Sequence, residues 1–363
     1  MTSAAAINSA SPGGLPIHIE RCEQIFGDFV ALKNINLDVR GGELVTLLGP
    51  SGSGKTTLLR ILAGLIQPTG GVIRIGGKDV TYLPAEKREL GMVFQNYALF
   101  PHLSVFENVA FPLRVRKFPE AEIKKRVADT LALVGLPDHG HRFPGQLSGG
   151  QQQRIAIARA LVFRPGVLLM DEPLGSLDKR LRQQLQLEIR MLQKEVGITT
   201  VYVTHDQDEA FTISDRIAVM ERGEIAQIGT PSEIYRSPNN HFVADFVGDL
   251  NYFRGVVQAG AGGLVLRMDN GVEIDLASGA GLLGAAITCG IRPEKVRVNP
   301  EAGERCFPAV VKTVTFKGSH HSAEIRLSTG ENIIANLPEL SVLSEGQAVR
   351  IGWRTEDMHI FND

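Results

Sequence analysis

Residues 49–56 read Gly-Pro-Ser-Gly-Ser-Gly-Lys-Thr. They meet the pattern G-x-x-x-x-G-K-[ST], a loop whose backbone N–H groups turn inward around phosphate oxygens. The cradle is Gly49, Pro50, Ser51, Gly52, Ser53 and Gly54. Its glycines allow backbone angles that side chains resist. Lys55 supplies a positive charge for the β- and γ-phosphates, and Thr56 offers its hydroxyl to Mg²⁺. The apolar run Leu44–Leu48 just before the loop fits a buried parallel strand. A helix is expected from about Thr56 to Ala63, with its positive end toward the phosphates. Strand, loop and helix in that order commit this part of the chain to an α/β sheet around a nucleotide.

Three more segments suit such a site. Val167–Met170 is an apolar run ending in Asp171-Glu172. A strand-end Asp beside a phosphate loop can hold Mg²⁺, and the neighbouring Glu172, on the other side of the strand, can polarise a water. The run Ile198–Val203 ends at Thr204-His205, where open α/β sheets bind ligands. A lone histidine there is more often structural. Gln95 follows the short apolar segment Gly91–Phe94 and carries no meaning alone. Finally, Leu147-Ser148-Gly149-Gly150-Gln151 precedes a helix running to about Leu161, whose N-terminus can face an anion.

Taken in order, these pieces resemble the nucleotide-binding domain of ABC transporters over roughly residues 17–247. The resemblance makes Gly49–Thr56 the P-loop, Gln95 the Q-loop glutamine and Leu147–Gln151 the signature. It makes Asp171-Glu172 Walker B, Ser176-Leu177-Asp178 the D-loop and His205 the switch histidine. It implies that Phe26 stacks on adenine and that Lys55, Thr56 and Thr57 contact phosphates and metal. Thr56, Gln95 and Asp171 then surround Mg²⁺, Glu172 is the catalytic carboxylate, and His205 senses the γ-phosphate. It further implies a head-to-tail homodimer, in which Ser148, Gly150 and Gln151 of one subunit complete the ATP site of the other. No motif is degraded, so an active ATPase is expected.

Residues 96–144 read as a helical insert. Ile123, Val127, Leu131 and Val134 recur at helical spacing behind Pro119, with Gly135 as a stop. By the resemblance this insert receives a helix of a membrane subunit, with Phe100, Pro101, Leu103 and Val105 as candidate contacts. Asp178 can cap a helix that runs to Val196 and stops at Gly197, with Leu181, Leu185, Ile189, Leu192 and Val196 inward. Met220–Ile225 suggests a hairpin at the sheet edge.

After about Val247 short apolar runs alternate with turns. Asn270-Gly271 between two such runs is a strong hairpin signal. The pattern predicts an all-β, small-barrel domain. Gly290-Ile291-Arg292-Pro293-Glu294 resembles a motif of the OB-like domain that accompanies importer ATPases. The expected fold is therefore an α/β P-loop NTPase, an ABC nucleotide-binding domain with a helical subdomain over 16–247, followed by an OB-like regulatory or dimerisation domain over 248–363. Residues 1–15 read as a flexible tail.

Composition narrows the partners. Net charge is −2 over 363 residues, and residues 246–363 carry 11 Lys/Arg against 14 Asp/Glu, a net of −3. A nucleic-acid platform should be basic with exposed aromatics, so no nucleic-acid partner is expected. The adjacent His320-His321 fall on opposite faces of a strand, which argues against a metal site. Cys22, Cys289 and Cys306 show no metal spacing and read as buried thiols of a reducing compartment. No apolar stretch is long enough to span a bilayer. The reading is then the ATP-hydrolysing subunit of an importer, a homodimer on the cytoplasmic face of the inner membrane. It sits beneath two permease subunits served by a solute-binding protein. The segments Gly229–Tyr235 and Phe242–Gly248, joined to the barrel, are most similar to those of polyamine (spermidine/putrescine) import ATPases. Importers of ferric ion, sulfate, maltose, glycerol phosphate or phosphonate share this architecture. A soluble ABC-type ATPase and a P-loop kinase are alternatives. The first usually has paired ATPase domains or a coiled-coil insertion, and the second lacks the signature.

Overall fold

The computed structural model describes residues 13–175, 177–260, 263–277, 280–300, 306–338 and 343–361. Ser176 of the D-loop and residues 1–12 of the expected tail lie outside them. Residues 13–15 do not behave as a free tail. Gly14 N–H donates to Gly197 O at 3.0 Å and Leu15 N–H to Gly166 O at 3.0 Å. The chain divides into two compact units at Ser232/Glu233.

The first unit opens on β1 (Ile17–Phe26) and β2 (Phe29–Val39), followed by β3 (Leu44–Leu48) and α1 (Lys55–Leu62). Then come β4 (Gly70–Ile75), β5 (Lys78–Asp79) and β6 (Gly91–Val93). Three helices follow: α2 (Val105–Val115), α3 (Glu120–Leu133) and α4 (Gly149–Leu161). The unit ends with β7 (Val167–Asp171), α5 (Lys179–Val196), β8 (Thr199–Thr204), α6 (Gln207–Ile213), β9 (Arg216–Glu221) and β10 (Glu224–Gly229). One sheet is antiparallel, in the order β2-β1-β4-β5. The other runs β10-β9-β3-β8-β7-β6. Its members are parallel except β10, which folds back at Arg222-Gly223, both at positive φ.

Every residue of β3, β7 and β8 is buried. Strands covered on both faces need apolar residues at odd and even positions alike, and successive side chains serve opposite faces. Val45, Leu47, Leu169, Val201 and Val203 therefore join α1 and the antiparallel sheet in one core. Leu44, Leu168, Met170 and Tyr202 join α4 and α5 in another. A third core lies within the insert, where Val109 and Leu113 of α2 meet Ile123, Val127 and Leu131 of α3 and Ile155 of α4. Asp178 caps α5 by accepting from Leu181 N–H at 3.0 Å, and Gly197 at φ 68 ends it. Buried Arg88 satisfies the last carbonyls of α1, donating to Ile61 O at 2.6 Å and Leu62 O at 2.9 Å.

The second unit starts earlier than its sequence character suggests. It takes in α8 (His241–Phe246), while the short α7 (Pro231–Arg236) straddles the division. Arg292, 2% exposed, helps hold it there by donating to Ala244 O, Gly248 O, Asp249 O and Tyr235 O, and His241 stacks on Tyr252 with centroids 4.4 Å apart. The guanidinium and this ring stack thus tie the connecting segment to the β unit.

Ten strands follow: β11 (Asn251–Gly260), β12 (Gly263–Arg267), β13 (Glu273–Leu276), β14 (Ala286–Ile291), β15 (Arg297–Val298), β16 (Cys306–Phe316), β17 (His320–Leu327), β18 (Asn332–Pro338), β19 (Ala348–Gly352) and β20 (Met358–Phe361). They form two five-stranded antiparallel sheets, β13-β12-β11-β14-β20 and β15-β19-β16-β17-β18, around one core. At its centre Trp353 stacks on Phe253 and Phe307, with centroids 5.1 and 5.3 Å away. The Asn270-Gly271 turn joins β12 to β13, with Gly271 at φ 81. Cys22 and Cys289 are buried, but Cys306, at the start of β16, is half-exposed.

Candidate active site

Register brings the chemistry together. In the parallel sheet Leu48 lies opposite Thr204, Asp171 opposite Val203, and Val93 opposite Met170. The four strands therefore end at one level, and the residues just past them share one edge. These are Gly49 onward, His205, Glu172 and Gln95. Ligands of open α/β sheets bind at such carboxyl ends.

The loop from Gly49 to Gly54 is tightly fitted. A Cβ on Gly49 would lie 2.4 Å from Met220 O, and Gly54, at φ 103, would bring one within 2.7 Å of Leu32. Only glycine fits at either place. Ser51 and Gly52 are exposed, Pro50 O accepts from Ser53 N–H at 3.3 Å, and Thr57 is half-buried in the first turn of α1. The Ser53 hydroxyl is buried and makes no hydrogen bond. Lys55 is 5% exposed and curls back over the loop, donating to Gly49 O at 2.7 Å and Pro50 O at 2.8 Å. Burial pushes its pKa down, against the pull of Glu172 and Asp171. A buried ammonium and an orphaned buried hydroxyl in a glycine-rich loop at a helix N-terminus are the fittings of an anion site.

Thr56 Oγ1 donates to Asp171 Oδ1 at 3.3 Å. Burial pushes the Asp171 carboxyl up, opposed by the Thr56 hydroxyl and Arg60. These are hard oxygen donors of the kind Mg²⁺ takes, usually with waters and phosphates filling the other positions. Glu172 has φ 42, and its N–H bonds to Val203 O at 3.0 Å. This left-handed residue turns the carboxylate off the strand. Its Oε2 accepts from Gln95 Nε2 at 3.4 Å and lies 3.2 Å from His205 Nδ1. Gln95, Glu172 and His205 thus form one chain of contacts.

Phe26 stands at the β1–β2 hairpin tip, 47% exposed, paired with Phe29 and followed by Gly27 at φ 57. The same hairpin passes Gly54, since Ala31 O would lie 2.9 Å from a Cβ there. The signature opens α4 with a capping box. The Ser148 hydroxyl accepts from Gln151 N–H at 3.3 Å, and Gln151 Oε1 accepts from Ser148 N–H at 3.0 Å. Gln151 also reaches His139 Nε2 at 3.4 Å. Gly150 is buried, and a Cβ there would press on Leu181 at 3.2 Å.

Among the candidate docking residues, Val105 is fully buried as the first residue of α2 and is unavailable to a partner. Pro101 is exposed, and Phe100 and Leu103 are half-buried.

Several residues at this edge escape a sequence reading. Arg182 joins the D-loop to the segment after His205, donating to Leu177 O at 3.0 Å and Asp206 Oδ2 at 3.0 Å. Buried Glu209 accepts from Thr204 at 2.7 Å and Tyr202 at 3.2 Å behind His205. Asn108, wholly buried, binds the loop after Gln95. Its one sequence signal is a polar residue on the apolar face of α2.

A phosphate loop, an acidic strand end and a capped glycine-rich helix start on one sheet define a P-loop ATPase of the ABC cassette class. The ABC transporter family matches residues 32–175, and the TOBE domain family matches residues 289–361. The spermidine/putrescine import ATP-binding protein PotA of Rubrobacter xylanophilus is 47% identical over 93% of this chain and 91% of its own. The Fe(3+) ions import ATP-binding protein FbpC of Brucella abortus is 47% identical over 95% and 98%. A dimeric ATP-binding cassette bound to ADP and Pi superposes with a TM-score of 0.53 at 35% identity, covering 59% of this chain and 98% of that one. The chain belongs to the ABC transporter family of ATP-binding proteins and is an ATPase of that type.

Proposed function

We propose that this chain powers uptake of polyamines, spermidine and putrescine, by hydrolysing ATP beneath a membrane permease. The observation that carries the hydrolytic part is the common strand-end level of the P-loop, Gln95, Glu172 and His205. The cargo rests on the polyamine-import name of the Rubrobacter relative.

ATP enters with its phosphates on the N–H groups of Gly49–Gly54 and its adenine on Phe26. Lys55 leaves the Gly49 and Pro50 carbonyls for the β- and γ-phosphates, whose negative charge pairs with its ammonium. Thr57 adds a phosphate contact. Thr56, Gln95 and Asp171 would hold Mg²⁺, which neutralises phosphate charge when bound. Glu172 takes a proton from water as its oxygen attacks the γ-phosphorus, and the bond to the β–γ bridging oxygen breaks to leave ADP. His205 holds the γ-phosphate end of the site. A second copy brings Ser148, Gly150 and Gln151, with the N-terminus of α4, against the γ-phosphate. Closure and opening of this sandwich drive two permease subunits through the half-buried segment at Phe100 and Leu103, and a solute-binding protein delivers cargo. The ATPase then lies on the cytoplasmic face of the membrane, and no helix among the described residues is long and apolar enough to cross it. The β unit serves dimer contact and regulation.

The second reading is ferric-ion import, favoured by the Brucella relative of equal identity. Replacing the native chain by Glu172→Gln in its own cell, and offering labelled spermidine, putrescine and ferric ion, separates the two. Loss of polyamine uptake alone supports the proposal. Loss of iron uptake alone refutes the cargo.

A further inference from the structure

Two residues shortly after Gln95, Tyr97 (φ 58) and Ala98 (φ 49), lie in the left-handed region. One non-glycine residue there is uncommon, and two in succession are costly, so the fold must hold them. Arg159 of α4 does so. Its Nη2 donates to Tyr97 O at 2.8 Å and its Nη1 to Ala98 O at 2.7 Å, one nitrogen for each carbonyl. The same guanidinium stands 5.6 Å from the Phe100 ring centroid. A planar fork bridges two successive carbonyls in a way that a single ammonium does not. Burial around Arg159 lowers its pKa, which marks a desolvated site where such bonds are strong.

The clamp sits between two parts of the machinery. On one side Gln95 donates to Glu172 Oε2 at 3.4 Å. On the other, α4 begins at the Ser148 cap and carries Gly150. We propose that Arg159 is a positioning residue: it locks the strained turn at Tyr97-Ala98, fixes the reach of Gln95 toward Glu172, and ties that reach to the signature helix. The proposal rests on the roles assigned above to Gln95 and Glu172.

The strain supplies its own test. Glycine adopts left-handed angles without the Cβ clash, and Ala98 is exposed, so Ala98→Gly removes one of the two strains that the clamp offsets while deleting one surface methyl. The variants are Arg159→Lys, Ala98→Gly and the pair, each in the full chain. The readouts are kcat and KM for ATP, and hydrogen exchange across residues 96–100. Arg159→Lys should lower kcat about tenfold by letting Gln95 drift. It should raise KM less than it lowers kcat, because the phosphate loop is untouched. Exchange at 96–100 should quicken. Ala98→Gly alone should stay within about twofold of the parent kcat. Added to Arg159→Lys, it should recover a measurable part of the kcat loss, because one of the two strained positions no longer opposes the turn. A kcat loss that glycine does not recover overturns the proposal, because a general structural role for Arg159 would give that result. Unchanged kcat in Arg159→Lys overturns it as well. Glu172→Gln in the same assay keeps the two readings apart. Normal turnover there sinks the hydrolytic assignment, while the exchange data still judge the clamp.

Discussion

Asn108→Ala should loosen the loop behind Gln95 while leaving the phosphate loop intact. Asn108 is wholly buried on α2. It accepts from Phe100 N–H at 2.8 Å and donates to Phe100 O at 3.1 Å, Leu103 O at 3.0 Å and Ser104 O at 3.0 Å. After truncation Phe100 O keeps Leu103 N–H at 3.2 Å, and Ser104 O keeps Asn108 N–H at 2.9 Å. The Phe100 N–H and Leu103 O lose the partner that Asn108 supplied. Each orphaned group costs about 1–3 kcal/mol. Phe100 and Leu103 are half-buried, so water relieves part of this and the sum is about 2–3 kcal/mol. That is roughly a hundredfold in local opening. A two-unit chain gives no single unfolding free energy, so native-state hydrogen exchange is the right assay. The Phe100 amide should lose about two orders of magnitude of protection, with P-loop amides unchanged. A change below about threefold would mean that Asn108 does not hold this loop.

Thiol chemistry gives a second check. Burial, with Glu23 adding to it, pushes the Cys22 thiol up to about 11, and burial pushes Cys289 up to about 12. Both should stay unmodified by a thiol reagent at about pH 8, while half-exposed Cys306 reacts first. Labelling of Cys22 or Cys289 in native protein would contradict the described cores. A third check is pH. Burial alone would raise Asp215, but Arg190, the Leu44 N–H and Lys194 outweigh it and hold the carboxyl well below its ordinary 3.8. A depressed acid stabilises the fold above its unfolded pKa, and that contribution fades as pH falls toward the folded value. Asp215→Asn should therefore lower the melting temperature of the first unit's transition at about pH 7, and the gap to the parent should narrow below about pH 3.8. A gap that widens with acid would reverse the sign of this account.

Much of the fold is legible where chemistry is local. The glycine spacing of Gly49–Lys55 allows one kind of loop. Asp178 and Gly197 mark both ends of α5, and Asn270-Gly271 marks a hairpin, because caps and tight turns are decided by a few adjacent residues. The strand order β10-β9-β3-β8-β7-β6 is not written in any segment, since β3 pairs with β8 and β9 more than a hundred positions away. Arg159, Asn108 and Arg182 are hidden because the path of the loops they bind is not written in the sequence. Each is one polar residue in a helical pattern, and its meaning lies in a carbonyl on another element. Val105 shows the converse. Its apolar side chain suits a docking face and a core equally, and burial decides for the core. The division at Ser232/Glu233 escapes a reading of composition because the ties that hold residues 235–249 to the β unit, among them buried Arg292 and the His241–Tyr252 stack, join residues far apart in the chain.

The central claim is that Glu172, turned off its strand at φ 42 and in contact with Gln95 and His205, activates water for ATP hydrolysis. Glu172→Gln keeps the shape and removes the base. Its single-turnover rate with ATP and Mg²⁺, measured beside ATP affinity and oligomeric state, tests this most directly. The account predicts unchanged affinity, a dimer that persists with ATP, and hydrolysis slowed by about 10²–10⁴-fold. Hydrolysis near the parent rate would contradict it.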